Sequence, residues 1–252
     1  MIPFIFFMFI PVCLWGLGNE MGGCLTCEYT PTNEIYVLIS SEEDTPDIVS
    51  NRISQLSFLN EEQIADAWRL YYSASFNDET PYCAMIRFNR GTESFHYSAK
   101  YLAMKDFTPF AGIPIGGLDI FMATHLEDIS GPDYSPLEII CLDFTAVSNL
   151  VALGSASNLT DVIIYESCIS SLDFLVNKPK LGRIVLCDIP VKDSIRIESA
   201  IRNHPTNAPN LYVSIRSTLI NDFRKLKEAA NGKGNVFLHM DGTRFKKSEA
   251  IH

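Results

Sequence analysis

The sequence predicts an α/β protein: a coil of stacked, strand-containing units sharing one parallel sheet, preceded by a mixed α/β region that covers its end. Three observations lead there. Four stretches beginning at Ile115, Leu137, Leu159 and Leu181 lie 22 residues apart and carry apolar side chains at the same offsets. The period stops after Val191 and gives way to alternating strand-like and helix-like patterns. Between residues 33 and 110, helix signals and a hairpin signal stand outside the period altogether. A fixed repeat of this length marks stacked units, because none can shelter its own apolar side without a neighbour.

The chain opens on an apolar segment. No residue from Met1 to Gly18 is charged, and Phe4, Ile5, Phe6, Phe7, Phe9, Ile10, Val12, Leu14 and Trp15 crowd it. That length suits a signal h-region with its flanks and is marginal for spanning a bilayer. Gly16 and Gly18 offer small residues for a leader-peptidase cut before Asn19. Met21-Gly22-Gly23-Cys24 resembles a bacterial lipobox, which implies lipid on Cys24 and possible membrane attachment through the N-terminus. Leucine is the commoner residue where Met21 stands, and no Lys or Arg precedes Arg52. Residues 1–24 are expected to be a signal or lipoprotein leader or a membrane anchor, with a buried N-terminal element as the alternative. Residues 25–32 then form a polar linker. Cys24 and Cys27 make a C-x-x-C, but no second pair or adjacent histidine completes a zinc site, so no metal or cofactor is expected.

Residues 33–110 read as the mixed α/β N-terminal cap region. Ile35 to Ile39 is a short apolar run, and Pro46 to Leu56 predicts a helix carrying Ile48, Ile53 and Leu56. Asn60 followed by Gln63 is a capping-box start for a second helix, with Ile64, Ala67, Trp68 and Tyr71 on one side. Tyr82 to Phe88 and Glu93 to Ala99, joined through Asn89-Arg90-Gly91, predict a hairpin. This region is the natural cover for the exposed end of a stack; an independent ligand domain is the alternative.

In the four units the first, fourth and sixth places are apolar: Ile115, Leu118, Ile120; Leu137, Ile140, Leu142; Leu159, Val162, Ile164; Leu181, Ile184, Leu186. The two central units add leucines farther on, Leu150 with Leu153 and Leu172 with Leu175. This pattern resembles the leucine-rich repeat, in the short 22-residue class of bacterial internalin-type proteins, over residues 115 to 191. The resemblance implies a leucine-rich-repeat solenoid with a parallel β-sheet over residues 111–241. It departs from the family at the place of the usual turn-bonding asparagine, where Ala123, Thr145, Ser167 and Ile189 stand. Thr145 and Ser167 can offer hydroxyls to neighbouring groups, whereas Ala123 and Ile189 cannot, so the first and last units are expected to be irregular.

Past Val191 the units lengthen. Ile195, Ile197 and Ile201 predict a helix that ends at Asn203 before Pro205. Leu211, Val213 and Ile215 alternate as a strand; a helix is expected from about Thr218 to Ala230, stopping at Asn231-Gly232; and Val236, Leu238 and Met240 supply a last strand. Residues 242–252 are read as a tail, holding the one compact basic group, Arg244, Lys246 and Lys247.

The chain of 252 residues is 47% hydrophobic and 20% charged, ample for a continuous core. Its net charge of −10 argues against non-specific nucleic-acid binding. Cys141 and Cys187 fall in strands two units apart and cannot pair without distortion. The chain has no G-x-S-x-G, H-E-x-x-H or P-loop, and Gly232-Lys233-Gly234 follows a helix rather than a strand. Cys141-Leu142-Asp143 resembles the C-x-D motif of bacterial leucine-rich-repeat ubiquitin ligases, but there the motif belongs to a separate helical domain and here it falls in a repeat strand. No catalytic residue is assigned.

The resemblance also implies that strand positions facing away from the core form an inner, concave binding surface: Phe121, Cys141, Asp143, Asp161, Ile163, Tyr165, Arg183 and Val185, with Asp119, Ile139 and Cys187 beside them and Phe144, Glu166 and Asp188 extending the face. Aromatic, arginine and carboxylate groups together suit contact with another protein. The expectation is a non-enzymatic protein-protein interaction scaffold, exported to the cell envelope, membrane-anchored or secreted. A cytosolic interaction or inhibitor protein, and an enzyme with its site in the N-terminal region, are the alternatives.

Overall fold

The computed structural model describes residues 35–39, 45–73 and 83–241. Apart from Ile35, the elements below lie in one unit, Tyr36–His252. The leader, the linker, Cys24, Cys27 and the basic tail lie outside the described residues. In chain order come β1 (Ile35–Ile39), α1 (Pro46–Ser54), α2 (Glu61–Ser73), β2 (Cys83–Asn89), β3 (Ser94–Lys100), β4 (Ile115–Phe121), β5 (Ile139–Thr145), β6 (Asp161–Ser167), β7 (Arg183–Ile189), α3 (Ile195–Asn203), β8 (Leu211–Thr218), α4 (Arg224–Ala230) and β9 (Val236–Met240). All nine strands belong to one sheet and neighbour one another in chain order. β2 and β3 are antiparallel, and every pairing from β3 to β9 is parallel.

Local chemistry sets the first elements. Thr45 caps α1 through its side chain, and Pro46 occupies the first turn where its missing N–H costs nothing. Pro46 fixes the start so that Val49 and Ile53, four apart, share the buried side. Ile53 is buried whereas Ile48 is 41% exposed, and the helix stops at Ser54 rather than Leu56. At α2 the capping box closes as expected: Gln63 N–H donates to Asn60 Oδ1 at 2.8 Å and Asn60 N–H to Gln63 Oε1 at 3.0 Å. The β2–β3 hairpin turns where Asn89 Oδ1 accepts from the N–H of Gly91 at 2.9 Å.

The 22-residue period becomes a register. Leu118, Ile140, Val162 and Ile184 are direct cross-strand partners, and the column continues to Tyr97 on one side and Val213 and Leu238 on the other. From Tyr97 to Val213 every member is at most 1% exposed. A parallel column of Ile120, Leu142, Ile164, Leu186 and Ile215 is fully buried beside it. Each strand therefore closes the apolar face of the one before, at roughly 25 cal/mol per Å² removed from water. The added leucines of the central units sit at short 3-10 turns, Val151–Ser155 and Asp173–Leu175, and are buried. In the longer units α3 and α4 take over that role, with Ile197, Ile201 and Leu226 fully buried.

The expected helix from Thr218 begins six residues late, at Arg224. Thr218 instead completes β8 opposite Ile189, and its hydroxyl accepts from Ile220 N–H, which holds the chain in a turn. At the place of the missing asparagine, Ser167 Oγ donates to Tyr165 O at 2.8 Å, so the 3.1 Å bond between Thr145 and Ser167 runs from the threonine hydroxyl. Lys178 supplies another clasp: its buried Nζ donates to the carbonyls of Leu153 and Gly154 in the preceding unit, at 2.7 and 2.9 Å. Farther on, Lys233 Nζ reaches the His204 carbonyl in the same way.

Glycines join the hairpin to the first unit. His96 lies opposite Gly117, and its Nε2 is 2.7 Å from Asp119 Oδ2, with Arg87 Nη2 3.2 Å from Nδ1. The same Arg87 Nη2 is 3.1 Å from Nε2, so the guanidinium stands against both ring nitrogens. Among the described residues, no helix is long and apolar enough to cross a membrane, and no group of three or more His, Cys, Asp or Glu side chains is placed to hold a metal.

Candidate functional site

Because side chains alternate along a strand, the face of the sheet opposite the core carries columns of its own. One runs Ile139, Asp161, Arg183, Tyr212, Phe237; the next runs Asp119, Cys141, Ile163, Val185, Ser214, His239; the third runs Phe121, Asp143, Tyr165, Cys187, Arg216. All eight predicted surface residues lie on this face and are contiguous. Arg183 Nε meets Asp161 Oδ1 at 3.2 Å across adjacent strands, and Tyr165 lies between Asp143 and Cys187.

The columns differ in exposure. Cys141 and Ile163 are each only 7% exposed, while Phe121, Asp143, Asp161, Tyr165, Arg183 and Val185 are half-buried. The middle column is flanked on both sides by others, with strands about 4.8 Å apart and like-facing residues about 7 Å apart along each strand. Cys187, in the third column, is buried as well, at 4%. Cys141, Ile163 and Cys187 floor the face, and Tyr212, Phe237 and His239 are its exposed groups.

Near the end of each strand from β4 to β8 stands a left-handed residue. Met122, Phe144, Glu166, Asp188 and Ser217 have φ of 52°, 55°, 40°, 53° and 47°, and they stack because the strands before them are in register. Such a conformation costs a non-glycine residue about 1–2 kcal/mol, and here it recurs at the same place in successive units, one residue before the paired Thr145 and Ser167 and the paired Ile189 and Thr218. The row brings Glu166 beside acidic neighbours. Burial first, then the charges of Asp143 and Asp188, raises the Glu166 carboxyl above its ordinary range, and burial raises that of Asp143. At the next strand the Cys187 thiol donates to Asp188 Oδ2 at 2.9 Å and accepts from Arg216 Nε at 3.3 Å. Burial, reinforced by the Asp188 contact, pushes that thiol up to about 12, so it stays protonated and is no nucleophile.

Two residues outside the predicted set are the most exposed aromatic groups of this face. Tyr212 and Phe237 are 43% and 47% exposed and stack with ring centroids 5.1 Å apart and planes 16° from parallel. Asn210 Nδ2 donates to the Tyr212 hydroxyl at 3.0 Å and helps to orient it. A signal for them exists in the sequence. The alternation Leu211, Val213, Ile215 places Tyr212 outward, and Val236, Leu238, Met240 does the same for Phe237; they escape a search confined to the 22-residue period. Of the histidines, His96 and His204 are buried and hydrogen-bonded, His204 to the Pro209 carbonyl at 2.8 Å, while His125 and His239 are exposed.

Fold and face together define a mixed α/β protein with one mostly parallel sheet whose strands neighbour one another in chain order. No family model matches the chain, and no curated protein matches it. Among solved structures the chain is similar to internalin C2 of Listeria monocytogenes, with a TM-score of 0.35 and 13% identity, over 58% of this chain and 80% of that one.

Proposed function

We propose that this chain is a leucine-rich-repeat solenoid serving as a non-enzymatic protein-binding module, with the open face of β4 to β9 as its binding surface. The observation that carries the reading is the in-register alternation of two faces. From β3 to β8 one side of the sheet carries the buried apolar columns, whereas the other presents Tyr165, the Asp161–Arg183 pair and the exposed Tyr212 and Phe237 rings. Aromatic and arginine groups on a preformed surface are the usual anchors of protein contacts. Residues 33–110 act as the cap of the stack, a role consistent with the direct pairing of β3 with β4.

The partner is identified by capture on the immobilised chain followed by mass spectrometry, with a Tyr165→Ala, Arg183→Ala variant as control. A partner lost from the variant supports the reading, and one retained at full yield places the contact elsewhere. Export or tethering is part of the same proposal and rests on the uncharged apolar run from Met1 to Gly18. Mass spectrometry of the mature N-terminus tests it: lipid on Cys24 or cleavage before Asn19 supports it, and an intact Met1 in the soluble fraction refutes it.

A further inference from the structure

The exposed Tyr212–Phe237 stack shares its face with an excess of negative charge. Asp143 and Asp161 stand on this side with Arg183 and Arg216, and Glu166, Asp188 and Asp241 add their charge beside Asp143 and Arg216. Both cations are already engaged. Arg183 is bridged to Asp161, and Arg216 donates to Cys187 with Asp188 and Asp241 as its acidic neighbours. Asp143 and Glu166 are thus left in a field of their own sign, half-buried, on a chain whose net charge is −10. An anionic or neutral partner would bury these carboxylates without compensation; a cationic one offsets them.

The aromatic stack points to the same chemistry. A pair of near-parallel rings standing at the rim of a sheet offers a π-face on which a guanidinium or ammonium group is attracted, Arg more often than Lys. From Phe237 to Glu166 the separation is three strand spacings and about five residues along the strand, or roughly 20 Å. Six or seven residues of extended chain span that distance.

We propose that the partner held by this face is a cationic, extended polypeptide segment that crosses β9 to β5, with an Arg or Lys side chain against the Tyr212–Phe237 rings and further cations along Asp188, Glu166 and Asp143. This rests on the reading of the open face as the binding surface and adds the class of partner. Ion pairs formed at a partly exposed face of this kind weaken with added salt, whereas the aromatic contact does so less.

The test is selection of a random dodecapeptide display library on the full chain, followed by affinity measurement of the enriched peptides. Two variants serve as controls: Tyr212→Ala with Phe237→Ala, and the isosteric Asp143→Asn with Glu166→Gln. Thermal unfolding checks that both variants remain folded, as the exposed or half-buried positions lead one to expect. The proposal expects enriched peptides rich in Arg and Lys whose Kd rises about tenfold or more on the aromatic variant, rises on the carboxamide variant, and rises with added NaCl. Enriched peptides that are neutral or acidic, yet still weakened by the aromatic variant, overturn the cationic class and leave the binding face standing. Enriched peptides insensitive to both variants, or no enrichment at all, overturn the proposal and the binding-face reading together.

Discussion

Gly117 lies directly beneath the His96 ring: a Cβ built on it would stand 2.5 Å from Nδ1 and 2.7 Å from Cγ. The missing side chain is what allows His96 to lie flat across β4 and reach Asp119, so that the hairpin and the first unit share a hydrogen bond between two buried side chains. The neighbouring Gly116 leaves equivalent room for Ser94 Oγ, 2.2 Å from the Cβ position.

Gly117→Ala should therefore be costly despite being a single methyl. His96 must move, and the overpacking is expected to destabilise the fold by about 1–3 kcal/mol. Urea unfolding measures this, with Gly154→Ala, where the added Cβ meets nothing within 4 Å, as the control with little effect. Equal midpoints for the two variants would refute the role given to Gly117.

Lys178 should matter through its ammonium group rather than its stem. Burial lowers its pKa from the ordinary lysine range, yet its two bonds to the carbonyls of Leu153 and Gly154 hold adjacent units together. Lys178→Met keeps the length and removes both donors, leaving the Leu153 carbonyl without that partner in a buried setting. A loss of about 1–3 kcal/mol is expected, read as a lower denaturant midpoint, whereas exposed Lys180→Met should change it by less than about 0.5 kcal/mol.

The carboxyls of Asp143 and Glu166 make stability depend on pH in a definite direction. Their folded pKa values are raised above the unfolded ones, so their charged forms are disfavoured by folding. The penalty is absent below the ordinary carboxylate range near 4 and grows as pH rises through the raised values. Asp143→Asn with Glu166→Gln should raise the melting temperature at pH 7 and lose that gain by about pH 4. A gain unchanged across that range would contradict the crowding of these acids.

Cys187 should resist alkylation. With its thiol pushed up to about 12 and buried, folded protein treated with iodoacetamide at pH 8 should leave Cys187 unmodified and the half-buried Cys168 more heavily labelled, as peptide mass spectrometry can read. After denaturation both should react. Rapid labelling of Cys187 in the folded state would overturn the placement of its thiol between Asp188 and Arg216.

Much of this architecture was legible in the chain because its signals are local or periodic. The spacing of Leu118, Ile140, Val162 and Ile184 fixes a register, since a shift by one residue would turn every apolar side chain out of the core. The capping pair Asn60–Gln63 and the turn at Asn89 are likewise complete within a few residues. Where local pattern misled, a neighbour had intervened: the pairing of Thr218 with Ile189 delays α4.

The amino-acid sequence by itself determined which side chains face the core and which face away, because the alternation of a strand is a property of one segment. Only the tertiary structure decided how those outward groups meet. It sank Cys141 and Ile163 to the floor of the face, drew Glu166 between Asp143 and Asp188, and laid the Tyr212 ring on Phe237, residues 25 apart in the chain. Exposure, charge crowding and ring stacking depend on distances between strands, and those exist only once the units have been packed against one another.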